Sequence, residues 1–216
     1  MSKNKTMASI FCDGACPGNG TARAIGGWAW AYWPGIAKGE PTFSGAAKLA
    51  TDGGHPATNQ RAELTALLEA LRFVAKRPDL TPVTIYTDSM YSLNCTTKWG
   101  PGWKRKGWKR DSGEPLLNLD LIMPLVELWR PSVPLVHVRG HQTGSGPEVH
   151  GNNWVDRAAV AAAHGPLQLH SLPAPDINII EHVIEPTIKE KVKERVQVKA
   201  NPGVLKQADI RMWFGA

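Results

Sequence analysis

The segment from Asn59 to Lys76 limits the fold of this chain more than any other. Leu64, Leu67, Leu68, Leu71 and Val74 recur there at helical spacing, so residues 59–76 predict an amphipathic helix with one apolar face to cover. Thr58 and Asn59 suit its start, and Pro78 and Pro82 close it. The flanking sequence supplies strands for that face to cover. Residues 8–13 (ASIFCD) and 25–33 (IGGWAWAYW) are apolar and rich in aromatics, on either side of the Gly/Pro-rich turn GACPGNGTARA, and a weaker third strand is expected near 39–46. Beyond the helix, Val83–Thr87 reads as a short β-branched strand, and Asp88-Ser89 opens a second helix to about Thr97. A basic, Trp-rich loop follows, then a helix over 116–130, a fifth strand from Val133 to Val138, the Gly-rich loop RGHQTGSGPEVHGNN, and an Ala-rich helix over 153–164. The order βββαβααβα predicts an α/β fold, a five-stranded mixed sheet with helices packed on its faces.

After Gly165 the composition changes. GPLQLHSLPAPD reads as a Pro-bearing linker, and the remaining residues mix charged and β-branched positions without a single period. Ile188, Val192 and Val196 fit a narrow helical stripe, while Val196 and Val198 suit a strand equally well. The expected organisation is a folded domain over 1–165 and a linker with tail over 166–216. No run approaches the roughly eighteen apolar residues of a membrane span, and MSKNKTMASIF lacks the apolar core of a signal peptide. Cys12, Cys16 and Cys95 are too few, and odd in number, for a disulfide framework. These features predict a soluble, monomeric protein of a reducing intracellular compartment, cytoplasm or nucleus, without membrane association.

Charge points to a partner. Twenty-five Lys and Arg stand against nineteen Asp and Glu, a formal net charge of +6. The excess is concentrated in residues 98–110, where Lys98, Lys104, Arg105, Lys106, Lys109 and Arg110 are interleaved with Trp99, Trp103 and Trp108. Cations displace counterions from a phosphate backbone while flat rings lie against sugars or bases, so this composition suits nucleic acid. A solvated Lys-rich loop is the plainer reading of the same run.

Four acids sit where elements are expected to begin or end: Asp13, Glu63, Asp88 and Asp156. Singly, each has a structural explanation in turn chemistry, the helix dipole or capping. Together they pose a different problem. Asp13 and Asp88 close strands that would be neighbours, and Glu63 and Asp156 begin helices that would pack beside that edge. Crowded carboxylates repel, so the cluster calls for cations, and hard oxygen donors select Mg²⁺ or Mn²⁺. Two such ions suit in-line displacement at phosphorus.

The segments CDGACPGNG, TNQRAE, YTDSMY, WGPGWKRKGWK, GHQTG and VDRAA, in this order, resemble type 1 ribonuclease H, particularly its eukaryotic-like branch, over about residues 8–165. The resemblance implies a ribonuclease H-like fold and endonucleolytic cleavage of the RNA strand of RNA/DNA hybrids, leaving 3′-hydroxyl and 5′-phosphate ends, in support of replication or R-loop removal. It makes Asp13, Glu63, Asp88 and Asp156 a quartet for two Mg²⁺ ions, with Mn²⁺ as a substitute, and His141 the loop histidine of catalysis or product release. Asn19, Asn59 and Gln60 match readers of the hybrid's minor groove. Thr58 and Asn118 match members of a DNA-phosphate pocket, and Trp99 and Trp103 match a deoxyribose channel, with Lys104, Arg105 and Lys106 in the basic protrusion. Three departures stand out. Pro56 occupies a position where an arginine of the phosphate pocket is often found; His141 and Asp156 are fifteen positions apart, which makes His150 a rival to His141; and no hybrid-binding domain precedes the motifs. The end of the chain, KQADIRMWFGA, places Gln207, Ile210, Trp213 and Phe214 in a pattern that resembles a sliding-clamp-binding peptide over 207–214, although the same spacing fits a short helix packing back on the domain. The alternative function is a catalytically inactive hybrid-binding module tethered to a clamp.

Overall fold

The computed structural model describes residues 7–51, 54–80, 82–110 and 112–165. Five strands form one mixed sheet, β1 (Ala8–Ala15), β2 (Gly27–Trp33), β3 (Phe43–Lys48), β4 (Val83–Thr87) and β5 (Leu135–His137), in the order β3-β2-β1-β4-β5. β2 is antiparallel to β1 and β3, whereas β4 runs parallel to β1 and β5 parallel to β4. The helices are α1 (Asn59–Lys76), α2 (Met90–Asn94), α3 (Gly100–Arg105), α4 (Leu119–Leu128) and α5 (Pro147–His164), with a π-helical turn at Cys95–Trp99 and a 3-10 turn at Pro78–Leu80. The predicted five-stranded mixed sheet flanked by helices is therefore present.

Side-chain alternation explains the two layers. Ile10, Cys12, Trp30 and Ile85 face α1 and α4, where Leu64, Leu67, Leu71, Ile122 and Leu125 complete one core. Phe11, Ala29, Ala31 and Trp33 face the opposite way onto Val155, Ala159 and Ala162 of α5. Small residues on α5 let it lie close to the sheet, and the Phe11 ring stacks on Tyr86 at 4.7 Å between centroids. Burying side chains of this size contributes roughly 1.5–3 kcal/mol each.

Three differences from the sequence expectation concern the site. The Trp-rich segment is helical: Thr96 and Thr97 bond back to the Ser92 and Leu93 carbonyls, and the Gly100 N–H reaches Cys95 to close a π turn. The last helix begins at Pro147, with Gly146 as its N-cap, because proline suits the first helical position. Asp156 consequently lies in mid-helix, not at a helix start. Glu63 also falls beyond the first turn of α1. The tail residues Gln207, Ile210, Trp213 and Phe214 lie outside the described residues.

Candidate active site

The parallel pairing of β1 with β4, Phe11 opposite Tyr86, brings the ends of these strands to one edge. Asp13 lies in β1, two residues beyond that pair, and Asp88 directly follows β4. Asp88 is released from capping, because the Ser89 hydroxyl accepts the Ser92 N–H at 3.2 Å and serves as the α2 cap. Glu63 arrives from α1 through close contact at Gly14. A Cβ on Gly14 would lie 2.2 Å from both the Ala62 carbonyl carbon and the Glu63 nitrogen, so only glycine lets helix and strand approach this closely. One oxygen from each of Asp13, Glu63 and Asp88 lies within 4.8 Å of the others. The predicted quartet is thus a triad plus one: Asp156, half-buried on α5, stands outside this set but still acts on Asp13 through its charge.

The electrostatics are unfavourable to three ionised acids. Burial, with the Asp88 and Asp156 charges adding, pushes the Asp13 carboxyl from its ordinary 3.8 up to about 8, against the Gly14 N–H that donates to its Oδ1 at 2.7 Å. Burial and then the charges of Asp13 and Asp88 raise Glu63 well above the usual range. Among the described residues no lysine or arginine forms an ion pair with these three, and Glu63 Oε2 is buried without a hydrogen-bond partner. An orphaned hard oxygen beside two further carboxylates is a donor set that fits a divalent cation. Cys12 is buried beside them, its thiol raised by burial first and then by the Glu63 and Asp13 charges, so it offers no thiolate nucleophile.

Asn152 is a site residue that the sequence did not reveal. It is 2% exposed on α5 and donates from Nδ2 to Asp88 Oδ2 at 3.3 Å. Its signal was hidden because HGNN reads as loop chemistry. Gly140 also abuts Asp88; a Cβ there would lie 2.4 Å from Asp88 Oδ2. His141 follows, exposed, with its backbone in the left-handed region at φ 50°. His150 is engaged elsewhere: its Nε2 lies 2.7 Å from the Gly39 carbonyl oxygen and its ring meets Trp33 edge-on. Trp33 pairs with Ser9, four residues along β1 from Asp13, so His150 stands toward the other end of the strand.

Other predicted site residues gather beside this edge. Asn19 Oδ1 accepts the Asn59 N–H at 3.1 Å, and exposed Gln60 is the next residue. Thr58 caps α1 by accepting the Arg61 N–H and lines a cavity of about 390 Å³ with His55, Gln60, Arg61 and Asn118. Asn118, left-handed at φ 59°, donates to the Tyr91 hydroxyl and accepts from Arg61. The sequence missed Arg61, which is 7% exposed and grips Asp120 through two hydrogen bonds of 2.9 and 2.6 Å. Burial alone would raise Asp120, but Arg61, helped by His55, holds it below the usual carboxylate range. Pro56 thus leaves a pocket whose arginine is already paired.

A second cavity, of about 470 Å³, is lined by Tyr91, Lys98, Trp99, Trp103 and Lys106. Trp99 is 43% exposed and its ring lies 6.0 Å from that of Trp103. Trp103 and Trp108 are half-buried against the core, so Trp99 is the exposed indole of the three. Lys104 is paired with Glu127 at 2.7 Å and Arg105 is exposed.

Comparison with known proteins agrees with this geometry. The family model for RNase H matches residues 5–164. A ribonuclease H of Cyanothece sp. is 42% identical over 147 residues, 67% of this chain and 85% of that protein. Those of Thermosynechococcus vestitus and Cupriavidus necator are 37% and 40% identical, covering 78% and 65% of this chain and 97% and 87% of theirs. In fold, the chain is similar to the PFV RNase H domain (TM-score 0.61, 22% identity, 74% of this chain and 96% of that one). It is also similar to LC9-RNase H1, described as a type 1 RNase H with the type 2 active-site motif (TM-score 0.55, 25% identity, 77% and 76%). The named sequence relatives are bacterial, two of them cyanobacterial, and lend no support to a eukaryotic-like placement. The chain belongs to the ribonuclease H family, of bacterial type.

Proposed function

We infer that this protein is an endoribonuclease that hydrolyses the RNA strand of RNA/DNA hybrids, leaving 3′-hydroxyl and 5′-phosphate ends. The observation that carries the reading is the convergence of Asp13, Glu63 and Asp88 within 4.8 Å, without a described cation to offset them, in a ribonuclease H chain. A pure hybrid-binding module would gain nothing from crowded acids beside a phosphate, which disfavours the inactive alternative.

Asp13, Glu63 and Asp88, with Asp156 from α5, would hold Mg²⁺, with Mn²⁺ as a substitute. Two bound ions would supply an activated water and stabilisation of the leaving oxygen. Asn152 fixes the Asp88 carboxylate, and the Gly14 N–H fixes that of Asp13. His141 follows the glycine that touches Asp88, and it is the side chain we assign to protonating the leaving group or aiding product release. The engagement of His150 with Gly39 favours His141 for this role. Asn19, Asn59 and Gln60 would read 2′-hydroxyls across the minor groove. Thr58 and Asn118 would hold a DNA-strand phosphate. Trp99 and Trp103 would pack on deoxyriboses, with Lys104, Arg105 and Lys106 beside the backbone.

Cleavage with Mg²⁺ of a strand-labelled hybrid, beside RNA and DNA duplexes, tests this reading. Cutting confined to the RNA of the hybrid supports it, whereas equal cutting of an RNA duplex refutes the substrate assignment. Finer proposals have separate tests. The catalytic domain over 1–165 should retain activity when the tail is deleted, and light scattering should report a monomer. A peptide of residues 205–216 should bind a DNA sliding clamp through Gln207, Ile210, Trp213 and Phe214, and no binding at high micromolar concentration would end that idea. No described helix is long and apolar enough to cross a membrane, and the cysteines are free, in keeping with a reducing compartment such as the cytoplasm or nucleus.

A further inference from the structure

We propose that Asn153 is a positioning residue that latches the His141 loop to α5. The inference rests on the role given to His141 above. His141 is an L-residue held at φ 50°, a left-handed conformation that L side chains rarely adopt and that persists where surrounding contacts enforce it. Two hydrogen bonds supply that enforcement. Within the loop, Gln142 Nε2 donates to the Arg139 carbonyl at 3.1 Å, closing a turn around Gly140 and His141. From outside it, Asn153 Nδ2 donates at 3.2 Å to the carbonyl of Gln142, the residue directly after His141.

The anchor belongs to a long helix and the loop to the exposed surface. Residues 141–148 are exposed, whereas Asn153 sits on α5 between buried Asn152 and the Trp154 ring that packs on Trp33. Asn152 and Asn153 therefore hold two parts of the site from consecutive positions: one the carboxylate of Asp88, the other the backbone that aims His141. Loss of the second amide leaves the acidic cluster intact and frees the imidazole to leave its working orientation.

The test compares Asn153→Ala, Asn153→Gln, His141→Ala and the Asn153→Ala/His141→Ala double variant, as full-length protein with Mg²⁺. Asn153→Ala is expected to lower kcat about five-fold, with KM for a labelled hybrid within two-fold of wild type and Tm unchanged. Amide exchange over 139–146 should quicken, and Asn153→Gln, which keeps a donor, should recover part of the loss. In the His141→Ala background the same change should cost nothing further. Wild-type kcat and exchange in Asn153→Ala, or a full additional loss in the double variant, would overturn the proposal. If His141→Ala itself keeps wild-type kcat, the catalytic reading of His141 fails instead, and exchange over 139–146 alone decides whether the latch exists.

Discussion

Replacing Asp13 with asparagine should make the metal-free protein more stable while abolishing cleavage. The Asp13 carboxyl rises from the ordinary 3.8 to about 8 because it is buried among like charges. A carboxyl raised on folding contributes stability that is full below about pH 4 and is lost as pH climbs through about 8. Each unit of that climb costs about 1.36 kcal/mol, so at pH 7 the folded state carries roughly 4 kcal/mol of penalty from this group. Coulomb repulsion gives a similar scale, about 3.5 kcal/mol for two charges 4.8 Å apart at an effective dielectric of 20. Coupling to Glu63 and local relaxation reduce the sum, leaving about 2–4 kcal/mol to recover. The asparagine amide keeps an oxygen to accept the Gly14 N–H and has no charge to lose. In EDTA at pH 7 the Tm of Asp13→Asn should therefore exceed that of wild type by roughly 5–15 °C. The gap should narrow towards pH 4 and widen towards pH 8. Saturating Mg²⁺ should raise the wild-type Tm and move the variant less. Calorimetry at pH 4, 7 and 8 checks this, and a variant no more stable than wild type in EDTA would refute the electrostatic reasoning.

Other substitutions separate packing from chemistry. Gly14→Ala should cost several kcal/mol by forcing α1 from β1, seen as a lower urea midpoint together with lost cleavage. Asn152→Ala should reduce kcat at least ten-fold by freeing Asp88, with hybrid affinity intact in a filter-binding assay. Leu64→Ala, wholly buried, should cost about 2–5 kcal/mol in chemical denaturation. Replacing Lys104, Arg105 and Lys106 together should weaken hybrid binding and flatten its salt dependence, with Lys104→Ala costing less than Arg105→Ala because Glu127 already pairs Lys104.

The sheet and α1 were legible because their signals are local and strong: aromatic strands around Gly/Pro turns and a leucine stripe of helical period. The convergence of Asp13 with Asp88 was legible too, since acids closing two apolar strands meet only if those strands are neighbours, as β1 and β4 are. What the sequence hid depends on tertiary context. The stretch PEVHGNN reads as loop by composition, yet Pro147 at the first helical position and packing of α5 on the sheet make it helix. Read as loop, the stretch puts Asp156 near a helix start, conceals Asn152 and leaves Asn153 as a cap candidate. Arg61 was hidden for a different reason, because its partner Asp120 lies fifty-nine positions away. The Trp-rich segment reads as a basic loop because cations dominate it, while Trp103 and Trp108 bury enough surface to fold it against α4 and the core.

The central claim is that the acidic edge is a catalytic metal site and not a structural cap. Comparing Asp88→Asn with wild type on one strand-labelled hybrid, measuring cleavage and hybrid affinity together in Mg²⁺ and in EDTA, tests it most directly. The Ser89 cap frees Asp88 from capping α2, and asparagine keeps a side-chain oxygen for the Asn152 amide, so the variant should fold, bind the hybrid within a few-fold of wild type and cut no RNA, as wild type does in EDTA. Cleavage by Asp88→Asn at a rate near wild type, or wild-type cleavage that survives EDTA, would contradict the account.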